Sequence, residues 1–478
     1  MKAAYFLFLA TMELILVSCI HTNPEVTSQD CTVAATPAGF TRIFIGTPAP
    51  GGKQSGTSFD DPLDGSSADK FDTILRTISE GQQPTWGTQA NIPPQNLIVC
   101  LASGTFQTRG QYDWEFGKGH SMGQPLGFTV EKNWKIHGRG TGHTTLQLAS
   151  YVPDQFPDVN GVSFDVGRNV VIGTHSKNAS NVEISDLTID ANHDHLTAPG
   201  GLPLNLEGIV LRSDQGGHWI HDVNVIGGSG DAGAINVSFE TFTVRIWGNN
   251  NQQDPQENSG NIIERVTVTK PGQAMLSHTP PGGACDGIAV NNVVAEIKNN
   301  LVDGYGIAYG GWSMGPVSFH DNVSHNTIYG FNADSFSNNG VKIESNKFIQ
   351  PSSYGIVIGG GGLTMGFNEG TVANNTIELS KEGSIGLVLR GQVNNATLSN
   401  NTIFSLGSAR NKMAIWSYLS IPGAVNLNNA FENNHIDKAL TMDFSQDPNF
   451  NTDCRFQNRD LQGEAIPGFP DNSAATCQ

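Results

Sequence analysis

Apolar and polar positions alternate along this chain in two short phrases that keep returning. The first reads apolar, any, polar, polar or apolar, any, apolar. It occurs at 184–189 (ISDLTI), 220–225 (IHDVNV), 263–268 (IERVTV), 297–302 (IKNNLV), 323–328 (VSHNTI), 343–348 (IESNKF), 372–377 (VANNTI), 398–403 (LSNNTI) and 431–436 (FENNHI). Successive copies start 36, 43, 34, 26, 20, 29, 26 and 33 residues apart. The second phrase falls between them and opens on glycine: 208–213 (GIVLRS), 287–292 (GIAVNN), 306–311 (GIAYGG), 330–335 (GFNADS), 355–360 (GIVIGG) and 386–391 (GLVLRG), with 233–238 (GAINVS) as a looser copy. Period-2 alternation of β-branched residues predicts strands. A period drifting between about 20 and 40 residues predicts a stacked array.

With no helical period between the strands, a βαβ sheet is excluded. The remaining solution is a chain coiled into a solenoid, each coil pairing with its neighbours at about 4.8 Å. Asparagine supports this. Asn299-Asn300, Asn374-Asn375, Asn400-Asn401 and Asn433-Asn434 fall at one phase of the repeat. Asn tolerates left-handed turn geometry, and stacked Asn side chains form amide ladders. The two repeating registers resemble the pectate-lyase-like superfamily, which implies an all-β fold, a right-handed parallel β-helix, over 95–440. In that superfamily a short helix covers the open end of the solenoid. Ser66-Ser67-Ala68-Asp69 reads as a helix start, and Phe71, Ile74, Leu75 and Ile78 form one apolar helical stripe, so 38–94 is expected to be the N-terminal cap region. Residues 441–478 break the repeat and are expected to cap or trail from the other end.

Residues 1–18 read as a secretory leader: Lys2, an apolar run too short to span a membrane, then Ser18-Cys19. Leu16-Val17-Ser18-Cys19 resembles the lipobox of bacterial lipoproteins, in which the Cys is lipidated. That implies an exported protein, either an outer-membrane or cell-surface lipoprotein or a periplasmic or secreted one, touching membrane only through a lipid on Cys19. Residues 19–37 are polar and read as a tether. Of the other cysteines, Cys454 and Cys477 are close enough in sequence to pair, but the sequence does not determine connectivity.

Composition narrows the partners. The chain carries 26 Lys and Arg against 44 Asp and Glu, a net charge of −18 over 478 residues. Nucleic acid is excluded, since phosphate binding needs clustered basic groups and none occurs. A monomer is expected.

In the glycine-led strand the apolar positions must face inward, and the alternate ones outward. The second outward position reads Arg212, Asn291, Gly310, Asp334, Gly359 and Arg390 down successive coils, with Asn236 or Ser238 standing for the looser copy. In pectate-lyase-like enzymes the corresponding strand lines a polysaccharide groove, so the resemblance implies a glycan site here. Asp334 can act as acid, base or cation ligand, with Asp286 as a second carboxylate beside the groove. Arg212 and Arg390 can clamp a sugar carboxylate or sulfate. Asn291, Asn236, Trp312, Tyr309 and His218 are candidate substrate contacts. Tyr305, Tyr329 and Tyr354 each stand just before or near a strand glycine and would stack at a corner. Long interruptions bring Asp190, Asp194 and Asp214 towards one end, an oxygen-rich set for which Ca²⁺ is the expected ion.

The catalytic motifs of polygalacturonases and of alginate epimerases are not recognisable. The expected function is therefore an exported carbohydrate-active enzyme acting on a polysaccharide. A lyase is expected because Asp334 has no obvious carboxylate partner. A glycoside hydrolase on the same fold, or a non-catalytic glycan-binding or structural solenoid, is the alternative.

Overall fold

The computed structural model describes the chain except for residues 1–27, 33–34, 83–91, 114–123, 153–167, 175–177, 198–203, 213–214, 231–240, 249–257, 270–284, 312–314, 334–337, 361–365, 408–410, 420–425, 448–449, 451–452, 467–468 and 473–478. Cys19 lies outside the described residues, as do Asp214, Asn236, Trp312, Asp334 and Cys477.

The chain winds as a right-handed parallel β-helix. One coil shows the plan. Val317–His320 and Val323–His325 belong to the largest sheet, Tyr329–Ala333 to a second, and Asn338–Asn339 to a short third. The next coil begins at Lys342–Glu344, which pairs in parallel with Val317–His320. The largest sheet joins 23 strands, the second 13 and the third 4 among the described residues. Both repeating phrases are strands, as the alternation predicts. The stack begins at Thr41–Gly46, paired with Leu97–Leu101, and still pairs at Arg459–Asp460.

The interior is one continuous apolar column of Ile, Val, Leu and Phe drawn from every coil. At its N-terminal end the helix Ala68–Ser79 lies across the opening. Ser67 caps it, its hydroxyl accepting from the Lys70 amide at 3.4 Å, and Phe71, Ile74, Leu75 and Ile78 are buried beneath it. The helix thus covers apolar surface and strand ends that would otherwise face water. Further out, a disulfide joins Cys31 to Cys100 and fixes the short helix Gln29–Thr32 to the first coil. Cys454 is also disulfide-bonded.

The strand-leading glycines have a steric cause. Gly208, Gly287, Gly330, Gly355 and Gly386 sit at an inward corner, where a Cβ would come within 2.4–2.6 Å of Val225, Val302, Phe348, Ile377 and Ile403. At these five positions a side chain would collide unless its neighbours gave way.

The paired asparagines divide their work. The first of each pair takes the left-handed turn: φ is +54° at Asn299, +57° at Asn374, +54° at Asn400 and +51° at Asn433. The second points into the turn and stacks. Asn300, Asn322, Asn346, Asn375, Asn401, Asn434 and Asn458 form one buried ladder. At Asn375 every bond is made. Its Oδ1 accepts from the Asn346 backbone amide and from Asn346 Nδ2, each at 3.0 Å. Its Nδ2 donates to Ile343 O at 2.7 Å and to Asn401 Oδ1 at 3.0 Å. Asn322, Asn346 and Asn458 belong to this ladder although Asp321, Ser345 and Gln457 precede them in place of Asn.

Two predictions follow from the packing. Asn375→Ala strands a buried amide and a buried carbonyl, and should cost roughly 2–4 kcal/mol. Asn374→Gly, next door, should be nearly neutral because glycine enters the left-handed region freely. Urea denaturation of both variants measures this, and equal losses would refute the division of labour.

At the far end Asp453 is buried, its Oδ1 accepting from the Asn429 amide at 3.0 Å. Burial, reinforced by the Asp447 charge, pushes its carboxyl up to about 7. The folded state therefore holds this proton more tightly than the unfolded chain. The resulting stability is complete below about pH 4 and is lost as pH rises through 7. Between pH 5 and 8 the loss should be on the order of 2 kcal/mol, and Asp453→Asn should flatten it. Unfolding midpoints across that range provide the check.

Candidate functional site

The outward face of the 13-stranded sheet carries three columns of side chains. Glu207, Asp286, Ile307, Tyr329, Tyr354 and Ile385 follow one another down the first. Val210, Arg245, Ala289, Gly310, Asn332 and Val357 form the second. Arg212 and Asn291 belong to the third, separated by the backbone of one strand, and further down it contains Gly359, Arg390 and Tyr418.

The N-terminal part of this face is charged. Glu207, Arg245, Asp286, Asn291 and Arg212 all occupy outward positions, and all are buried, the most exposed at 7%. Arg245 Nε donates to Asn291 Oδ1 at 3.0 Å, which turns the guanidinium towards the third column. Thr174 fixes the Arg212 backbone from both sides, accepting from its amide at 2.6 Å and donating to its carbonyl at 2.7 Å. Glu207 and Asp286 are separated by a single strand, so their Cα atoms lie roughly 9.6 Å apart. The second column lies three residues further along the strands, about 10 Å away, and the third five residues, about 16 Å away. The face thus has an acidic edge and an arginine side, with Arg245 the nearer and Arg212 the further across it. Carboxylates can give and take protons there, and guanidinium groups can hold hydroxyls or carboxylates in fixed orientation.

The C-terminal part is aromatic and apolar. Val357, Ile385 and Val388 form a buried patch flanked by half-buried Tyr329, Tyr354, Met413, Trp416 and Tyr418. The Tyr329 and Tyr354 rings lie 4.8 Å apart, and Trp416 stacks on Tyr418 at 4.1 Å. From Asn205–Arg212 to Met413–Tyr418 the face spans eight strands, a length of roughly 34 Å.

Several expectations change. Arg212 and Asn291 do share a column, and Asp286 lies on the same face. Arg390 is exposed in the third column, but six strands below Arg212. That is about 29 Å, too far to act on the same bond. Tyr309 faces the core: it is 1% exposed, and its hydroxyl lies between Asn300 O and Val323 O, at 2.9 and 2.6 Å. Tyr305 is likewise interior, with its hydroxyl on Gly228 O and Thr269 O, so the tyrosine stack consists of Tyr329 and Tyr354. His218 is fully buried just before Trp219–Ile226, in the other sheet, and burial holds its imidazole down to about 3. It is a neutral group of the other sheet, away from this face. Gly310 aligns with Ala289 and Asn332 rather than with Asn291. The strand between those of Arg212 and Asn291 is Thr241–Trp247, which puts Trp247 where the looser phrase put Asn236.

Asp190 and Asp194 belong to no group of three or more metal-ligating side chains among the described residues. Asp190 Oδ1 accepts from the Asn192 amide at 2.7 Å and Oδ2 from Gln147 Nε2 at 2.9 Å. Asp194 is exposed beside His193.

Glu207, Arg245 and Trp416 did not emerge from the sequence. For Glu207 a signal exists: Glu207-Gly208 and Asp286-Gly287 are the same acid-glycine pair at the same phase of two coils.

No protein-family model matches the chain, and no curated protein sequence matches it significantly. Among solved structures it is similar to the A-module of the mannuronan C-5 epimerase AlgE4 of Azotobacter vinelandii: 13% identity, TM-score 0.48, covering 76% of this chain and 86% of that one. The catalytic domain of a GH87 alpha-1,3-glucanase is similar at 11% identity and TM-score 0.39, over 83% and 67% of the two chains. The DFA-IIIase of Arthrobacter chlorophenolicus is similar at 12% identity and TM-score 0.39, over 80% and 94%. Likenesses at this level transfer no activity to the chain.

Proposed function

We propose that the protein is a carbohydrate-active enzyme that binds a polysaccharide along the outward face of the 13-stranded sheet. One observation carries the reading: the column that holds buried Glu207 and Asp286 passes through Ile307 to Tyr329 and Tyr354, and further down the same face Trp416 and Tyr418 stand in the two neighbouring columns. Aromatic faces pack against the C–H faces of sugar rings, and a long flat strip suits a chain better than a single sugar.

The acid pair shapes the chemistry. The sequence favours elimination because Asp334 has no obvious carboxylate partner; Glu207 and Asp286 are a carboxylate pair of their own. Two carboxylates flanking a bound ring are what glycoside hydrolysis uses, one as acid and one as base or nucleophile. Hydrolysis is therefore the favoured reaction, and the net charge of −18 also favours a neutral glycan over a uronate polymer. Arg245 and Arg212 favour the second reading, elimination beside a uronate. There a guanidinium would neutralise the sugar carboxylate while an acid residue removed the adjacent proton.

The disulfides at Cys31–Cys100 and Cys454 support an oxidising compartment, in keeping with an exported protein tethered at Cys19.

A panel of neutral and uronate polysaccharides, followed by reducing ends and by the ultraviolet absorbance of unsaturated uronate, separates the two reactions. Glu207→Gln and Asp286→Asn should each lower kcat by at least about 100-fold while leaving the fold intact. Full activity in both would refute the assignment. Trp416→Ala combined with Tyr418→Ala should weaken binding of long oligosaccharides about 10-fold. Short ones should be unaffected, because Trp416 lies five strands, roughly 24 Å, below Asp286. Loss of binding for short and long chains alike would place the platform elsewhere.

A further inference from the structure

On the opposite side of the solenoid, the outer face of the largest sheet carries a second group of side chains that no glycan chemistry requires. Three consecutive strands bring it together: Lys135–His137, Glu183–Asp190 and Trp219–Ile226, with Lys135 aligned to Glu183 and Trp219, and His137 aligned to Ser185 and His221. Asp30, on the short N-terminal helix beside the Cys31–Cys100 disulfide, closes over them.

His137 is 1% exposed, and its two nitrogens have distinct surroundings. Nδ1 lies 2.8 Å from Ser185 Oγ, whose single hydroxyl hydrogen is donated to Asp186 Oδ2 at 2.7 Å. Nδ1 must therefore be the donor to Ser185. In the neutral ring that leaves a lone pair on Nε2, a buried nitrogen with no hydrogen-bond partner. It points at Asp30 Oδ2, 3.6 Å away, and Glu183 Oε1, 3.9 Å away. Three electron-rich atoms thus converge at separations too long for hydrogen bonds. They are close to the roughly 3.4 Å edge of a tetrahedron of nitrogen and oxygen ligands around Zn²⁺.

His221 stands beside this group in a different state. Its Nδ1 faces Asp222 Oδ2 at 2.8 Å and its Nε2 hydrogen-bonds the same Glu183 Oε1 at 3.4 Å, so an ion would have to displace the Nε2 proton, while Trp219 stacks on the ring. A histidine whose far nitrogen is held by a hydroxyl or carboxylate is the usual form of an imidazole ligand. Nitrogen donors select a borderline transition ion over Ca²⁺.

We propose that Asp30, His137 and Glu183, with His221 as the fourth ligand, form a Zn²⁺-class site that fastens the N-terminal segment to the first coils. Lys135 is its competitor. Its ammonium lies 2.8 Å from Asp30 Oδ2 and 3.1 Å from Glu183 Oε2, so it supplies the positive charge of the metal-free state. Removing Lys135 strengthens the site.

The test uses the full chain, freed of metal by a chelator and dialysed, with Zn²⁺ titrated calorimetrically and Co²⁺ followed by visible absorption. The wild type should bind one ion, show the intense bands of four-coordinate Co²⁺ and gain thermal stability on adding Zn²⁺. His137→Ala and Glu183→Gln should each weaken binding at least 10-fold and lose the bands. Lys135→Met should bind about 10-fold more tightly, and circular dichroism establishes that each variant is folded. The proposal is overturned if the wild type binds no ion, if only Lys135→Met binds one, or if His137→Ala and Glu183→Gln bind as the wild type does.

Discussion

Everything in this molecule depends on one coil lying directly over the next. Parallel hydrogen bonding fixes the spacing, and the buried amide ladder fixes the phase. Each interior ladder asparagine bonds the backbone of the preceding coil and the asparagine side chain of the following one, so a coil that slipped by one residue would break several bonds at once. Because side chains in strands alternate faces, such a slip would also turn the apolar column out and the polar one in. Phase and core therefore reinforce each other. This is why residues as distant in sequence as Glu207 and Trp416 end up on one face.

That face is not uniform. Its N-terminal part buries ionisable groups, which are costly to desolvate unless they are paired or needed. Its C-terminal part presents half-buried rings, which tolerate water at one edge and apolar contact at the other. A polymer that must be gripped over several units and altered at one of them calls for this division. On the largest sheet, carboxylates and imidazoles gather instead under Asp30.

The coiled architecture was legible because two registers repeat with fixed internal spacing, and the cap helix because its apolar stripe has a helical period. The columns were legible only in part. The phrase was keyed to glycine, but what the corner requires is a small inward group. In one coil Thr243 holds that place, so the strand Thr241–Trp247, which carries Arg245, was passed over for the glycine-bearing 233–238. Two coils on, Ala308 rather than Gly306 takes the corner, which moves Gly310 out of the column of Asn291. Periodicity gives which face a residue occupies but not what shares that face several strands away. Hence Arg212 and Arg390 looked like one clamp. The N-terminal Asp30 could not be placed over His137 from sequence, since a disulfide and a short helix carry it there.

The glycine corner has an evolutionary consequence. Each coil is a nearly self-contained turn that meets its neighbours through the same hydrogen bonds and the same amide contact. Duplicating or deleting a turn between Ile307 and Met413 would lengthen or shorten the aromatic strip by about 4.8 Å and leave the acidic edge untouched. Reach along the bound chain and chemistry upon it are thus separately adjustable in this architecture, like a ruler whose zero mark stays fixed.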